Sequence, residues 1–186
     1  MPFFRLNGHD EQAVRRRDRR MNLAERLSSR VENPVDIIEQ IAAHSAWVFE
    51  REEEDEISIA VSGHWSDYQL SFTWLPGVEA LHLVCAFDLT VPERRQAEVS
   101  TLLCALNARL WVGHFDMWKG GRAIMFRHSL LLTGGITPSQ EQCAALMKIA
   151  LEECERAFQC FQFVVWAGKS AAEALDSLIL ETVGEA

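Results

Sequence analysis

A chain of 186 residues, 48% of them hydrophobic, is long enough to bury a core without metal or disulfide staples, and it holds no run near the roughly 20 apolar residues of a membrane span. Its net charge of −9 is uneven: residues 1–30 carry eight arginines against four carboxylates, +4, and the remainder has 10 basic and 23 acidic side chains, −13. A body that acidic excludes the clustered cations of a nucleic-acid binder and suits solubility or a basic partner.

No charged-then-apolar leader is visible, and the expected location is cytoplasmic. Cys85, Cys104, Cys143, Cys154 and Cys160 form no CxxC pair, sit in apolar periodic segments and read as small buried hydrophobes. Neither a metal nor a cofactor is expected, because ligand types do not cluster at short spacings. Residues 1–30 read as a basic arm outside a single α+β domain of residues 31–186. The arginines between Arg15 and Arg20 offer the only route to nucleic acid or acidic lipid, although such runs are more often solvated or packed on their own domain.

In chain order, the first helix starts at Asn33, a good N-cap followed by Pro34 at N1 and Asp36 in the first turn. Val35, Ile38, Ile41 and Ala42 form its apolar face. Trp47, Val48 and Phe49 read as a strand, and the acidic residues 52–56 as the solvated turn of a hairpin. Ile57, Ile59 and Val61 then alternate with small residues, a half-buried strand. Gly63-His64 is expected to be a two-residue turn. Tyr68, Leu70, Phe72 and Trp74 mark one face of the next strand, and Pro76-Gly77 suggests a type II turn. Leu81, Leu83, Cys85, Phe87 and Leu89 define a further strand whose second face is weakly polar, which places it centrally.

Thr90 and Glu93 have the spacing of a capping box opening a helix with the stripe Val99, Leu102, Leu103, Leu106 and Leu110. Gly113 lies past its end. Residues 113–118 and 122–132 form a hairpin through Lys119-Gly120-Gly121, and Gly134-Gly135 closes it. Thr137-Pro138-Ser139-Gln140 starts a helix of about 30 residues with the apolar face Cys143, Leu146, Met147, Ala150, Cys154, Ala157, Phe158, Phe161 and Val165. Gly168 should break it, and Ser170 with Glu173 caps a last helix carrying Leu175, Leu178 and Ile179. The order α-ββββ-α-ββ-α-α implies an α+β fold, an antiparallel sheet with packed helices.

The densest chemistry lies on the hairpin after Gly113. His114, Asp116, Arg127 and His128 are expected to gather there, supplying either an acid–base pair with an anion clamp or a structural cross-strand ion pair. No serine or cysteine stands out as a nucleophile beside a base, so no catalytic residue is assigned. Core filling explains most of the six tryptophans, while Trp65, Trp111 and Trp118 are suited to a binding groove. Gly168-Lys169-Ser170 lacks the earlier glycine of a phosphate-binding loop, since Phe163 stands in its place.

Asn107 with Gly113-His114-Phe115-Asp116, then Phe126-Arg127-His128 and Leu130, resembles the central pattern of the YbjN-domain family. Asn33-Pro34, Phe72-Thr73-Trp74 and Trp166-Ala167-Gly168-Lys169-Ser170 extend the resemblance over roughly residues 31–186, towards the alphaproteobacterial branch. The resemblance implies a bacterial sensory-transduction regulator with a fold similar to type III secretion chaperones, which are small acidic proteins, often dimeric, that hold an extended client segment. Four strands before the middle helix, where those chaperones typically have three, put their dimer and client grooves in doubt for this chain. No catalytic residues are implied.

The expected function is therefore a non-enzymatic regulatory or chaperone-like module that binds a protein partner or client segment, with a homodimer as a further option. Its site residues would be Trp65, Trp111, His114, Asp116, Trp118 and Arg127. The alternative is a small-molecule or anion site, or a weak enzyme, on His114, Asp116, Arg127 and His128.

Overall fold

The computed structural model describes residues 33–118 and 122–184, with side chains as far as Ser177. The arginine-rich arm, the expected turn at 119–121, and the side chains of Leu178 and Ile179 lie outside the described residues. The elements are α1 (Pro34–His44), β1 (Val48–Glu53), β2 (Glu56–Ser62), β3 (Asp67–Leu75), β4 (Ala80–Thr90), α2 (Gln96–Asn107), β5 (His114–Met117), β6 (Ala123–Leu131), α3 (Gln140–Val165) and α4 (Ala171–Gly184). All strand pairs are antiparallel, in the order β1-β2-β3-β4-β6-β5. The fold is α+β in the expected order, with β4 inside the sheet.

Alternation decides which face is covered. Ile57 and Ile59, Leu70 and Phe72, Leu81, Leu83 and Cys85, Phe115, Ile124 and Phe126 are buried on one side. Helices α1, α2 and α3 pack there. Val35, Ile38 and Ala42 of α1 and Cys154, Phe158 and Phe161 of α3 are buried as well. Ring contacts knit the layers, Phe87 to Phe158 at 5.3 Å and Phe115 to Phe161 at 5.6 Å between centroids. The opposite face carries Glu50, Ser58, Ser71, Val84, Arg127 and His114 as one cross-strand row, none of them buried.

Several local expectations are corrected. Ser62 pairs with Asp67, so the β2–β3 turn has four residues rather than two. It is closed by Gly63 N–H donating to the Ser66 carbonyl at 2.9 Å. Gly63 is needed for close approach, because a Cβ there would overlap the Glu155 carboxylate and the Tyr68 ring. At Pro76-Gly77, successive bonds from Val78 N–H to Leu75 O and from Glu79 N–H to Pro76 O make a helical turn, not type II. The left-handed residue is Glu79, with φ +49°. Its carbonyl accepts from Leu132 N–H at 2.7 Å and its carboxylate from Gly134 N–H at 3.1 Å, which pins the turn to the end of β6.

Helix starts shift for similar reasons. Thr90 is held in β4 opposite Ala123 and is unable to cap, so a 3₁₀ turn (Glu93–Arg95) leads into α2 instead. For α3 the cap is Ser139, not Thr137. Gln142 N–H bonds Ser139 Oγ at 3.2 Å and Ser139 N–H bonds Gln142 Oε1 at 2.9 Å, a reciprocal box two residues on. Asn33 and Ser170 cap as expected.

The tryptophans do not fill the core. Trp65, Trp111, Trp118 and Trp166 are exposed and Trp47 and Trp74 half-buried, while phenylalanine, tyrosine and aliphatic residues occupy the interior. Cys104 is also exposed, unlike the other four cysteines.

Candidate functional site

The hairpin of β5 and β6 is positioned by Asn107, the last residue of α2. Its Nδ2–H donates to the Phe115 carbonyl at 2.9 Å, and its Oδ1 accepts from Phe115 N–H at 2.7 Å. Phe115 is itself buried beneath, against Phe126 and Phe161. The helix end thereby fixes where β5 begins, and the chain enters through Gly113 at φ +71°.

Two rows of the uncovered face then meet. His114 lies opposite Arg127, and Asp116 opposite Met125, so Asp116 and Arg127 are diagonal neighbours. They form an ion pair with Nη1–Oδ2 at 3.0 Å. The second oxygen of Asp116 accepts from Met117 N–H at 2.8 Å, so this carboxylate serves the strand as well as the guanidinium. Arg127 Nε is buried without an acceptor among the described residues.

His128 does not join this group. It pairs opposite the buried Leu83, on the helix-facing side, which corrects the expected four-residue cluster. In its place the register brings His82 opposite Ser129, with Nδ1 and Oγ 2.8 Å apart. This corrects the expectation that no serine stands beside a base. The pair was hidden in the sequence because alternation assigns each residue a face, whereas its cross-strand partner depends on β6 returning beside β4 across an intervening helix.

Burial, then the Arg127 guanidinium, holds the His82 imidazole below the usual histidine range. Burial, then His114, lowers His128. Both rings are therefore uncharged near neutrality, and the cation that remains, Arg127, is already paired. The site offers hydrogen bonds and an apolar rim more than it offers free positive charge.

Trp111 is fully exposed three residues before β5, and Trp118, 64% exposed, directly follows it. Trp65 sits apart in the β2–β3 turn, edge-on to His64 with centroids 4.5 Å apart. It shares the Trp118 end of the sheet, with strand β4 between the two hairpins. The structure thus brings His114, Asp116 and Arg127 together and flanks them with Trp111 and Trp118. Among the described residues, no group of His, Cys, Asp and Glu is arranged to hold a metal ion, and no helix is long and apolar enough to cross a membrane.

The chain matches no curated protein. Among solved structures it is similar to YbjN from E. coli, described as "a putative transcription regulator", at a TM-score of 0.47 and 14% identity, covering 64% of this chain and 84% of that one. The sequence model of the YbjN family, described as "Putative bacterial sensory transduction regulator", matches residues 34–163, from the start of α1 to the last turn of α3. By that match, which takes in all six strands, the chain belongs to the YbjN family.

Proposed function

We propose that this protein is a non-enzymatic regulatory module that holds a segment of a partner protein, in the manner of a chaperone, across the uncovered face of its sheet. The observation that carries the reading is the flanking of the Asp116–Arg127 pair by two exposed tryptophans, Trp111 and Trp118, at either end of β5. Exposed aromatic side chains beside a charged pair are frequent anchors of a protein interface. Small and polar residues across the rest of that face, Ser58, Ala60, Gln69 and Ser71 among them, leave room for an extended chain.

Strand addition at β5 is disfavoured, because Asn107 already occupies both outward backbone groups of Phe115. Glu50, Arg51, Glu52 and Glu53 blunt the other edge, β1. The partner segment therefore lies over the face rather than alongside an edge strand.

The Ser129–His82 contact favours a second reading, a small-molecule site or weak hydrolase. Against it, among the described residues no carboxylate bonds His82 to orient the ring. An anion clamp is weakened likewise, since Asp116 neutralises Arg127.

The test is affinity capture from a bacterial lysate with the full chain and its Trp118→Ala and Arg127→Ala variants, reading both proteins and small molecules by mass spectrometry. A recurrent protein lost from either variant, at unchanged melting temperature, supports the interface. Undiminished capture by both folded variants rejects it. A bait carrying only a small molecule selects the second reading.

A further inference from the structure

Among the described residues, a groove opens between α1 and α3. Ile41 and Met147, both buried, floor this groove of about 360 Å³ whose walls are the half-buried Trp47 and Leu151. Its rim carries Lys148 and Glu152, paired to each other at 3.7 Å. A groove this apolar in an acidic, polar surface calls for an apolar occupant.

We infer that the occupant is this chain's own segment of residues 20–31, RMNLAERLSSRV. Connectivity is the first argument. The segment runs directly into Asn33, the cap of the helix that forms one wall. Ile41 lies about 12 Å along α1 from Asn33, at a rise of about 1.5 Å per residue. Leu27 and Leu23 stand six and ten residues before Asn33 in the sequence, close enough along the chain to reach that level.

Sequence spacing is the second. Leu23, Ala24, Leu27 and Val31 fall on one face at helical periodicity, with Arg26 and Arg30 beside it and Ser29 behind. Charge is the third. The arm is +4 and the rest of the chain −13, so the body attracts the arginines, with the acidic residues 52–56 beside the Asn33 exit. Tethering supplies an effective concentration in the millimolar range, so even weak apolar contacts hold the segment in place.

The test uses the full chain with a p-benzoylphenylalanine photo-cross-linker at position 27, mixed in isotopically light and heavy forms. Links from position 27 to Met147, Leu151 or Trp47 within one chain are expected, and few from the same probe at position 29. Links joining light to heavy chains would make a second copy the occupant and overturn the inference, as would links elsewhere or equal links from position 29. Because the probe is bulky, trypsin cleavage after Arg26 and Arg30 in the unlabelled chain is a second readout. Leu151→Glu should speed that cleavage at least fivefold while Trp118→Ala leaves it unchanged. Equal rates in all three proteins would overturn the inference independently.

Discussion

Asn107 gives its side-chain amide to both backbone groups of Phe115, donating at 2.9 Å and accepting at 2.7 Å, as a neighbouring strand would. The sheet therefore ends at β5 not on open hydrogen-bonding groups but on a side chain from α2. Asp116 extends the seal by accepting from Met117 N–H. Asn107→Ala should lower stability by about 1–3 kcal/mol, since both Phe115 groups lose their partner in a half-buried place. It should also leave a bare edge that pairs with other chains. Urea titration with light scattering checks both effects; an unshifted midpoint in a monomeric variant would refute the strand-like role.

Gly113 gives a second, sharper test of how the hairpin is set. Its φ of +71° disfavours any side chain, and a Cβ would overlap the Phe126 ring, which is buried. Strain and overpacking together predict a loss of about 2–4 kcal/mol for Gly113→Ala. Gly77→Ala is the control, because nothing lies within 4 Å of a Cβ there. Its effect should stay within about 0.5 kcal/mol, as for ordinary surface changes. Similar losses for the two variants in thermal denaturation would contradict this account.

These residues also show what was legible in the sequence. Period-two and helical patterns expose burial, so the strands, the α3 stripe and the caps at Asn33 and Ser170 follow from local chemistry. Local chemistry also misleads where a tertiary contact overrides it. Pro76-Gly77 looks like a type II turn, yet the backbone puts its left-handed residue at Glu79, which is tied to Leu132 and Gly134. Thr90 has capping-box spacing, yet pairing with Ala123 keeps it in β4. For the candidate site, alternation alone put Asp116 and Arg127 on one face. Alternation also places His128 with Phe126 on the opposite face from Arg127, whereas pairing His82 with Ser129 required the register, which no local pattern encodes.

Thiol reactivity follows from burial. Cys85, Cys143, Cys154 and Cys160 are buried, and burial pushes the Cys143 thiol up to about 11 and Cys154 upward too. Cys104 faces solvent on α2. An aromatic disulfide reagent should thus label one thiol rapidly in the native protein and all five after denaturation. More than one fast native thiol would mean that the α3 core opens far more readily than its packing implies. The exposed Cys104 makes that count a direct check on the α2 face.

Burial, with Arg127 for His82 and His114 for His128, keeps the folded-state values of these two rings below the ordinary histidine value of about 6.5. Between the folded and unfolded values, the unfolded chain binds more protons. Stability therefore falls as pH drops through about 6.5, and this contribution is fully lost below the depressed folded values. Carboxylates act in a separate window: Ser139 lowers Glu141 and Ser170 lowers Glu173, so their contributions fade only below about pH 4.3. Unfolding midpoints measured from pH 7 to 5 thus isolate the histidines. His82→Gln retains a hydrogen-bonding partner for Ser129 and cannot protonate, and His128→Gln is the matching change on the helix-facing side. The double variant should show a shallower loss of stability on acidification than the parent. Parallel curves would place the pH sensitivity elsewhere and remove His82 and His128 as its source.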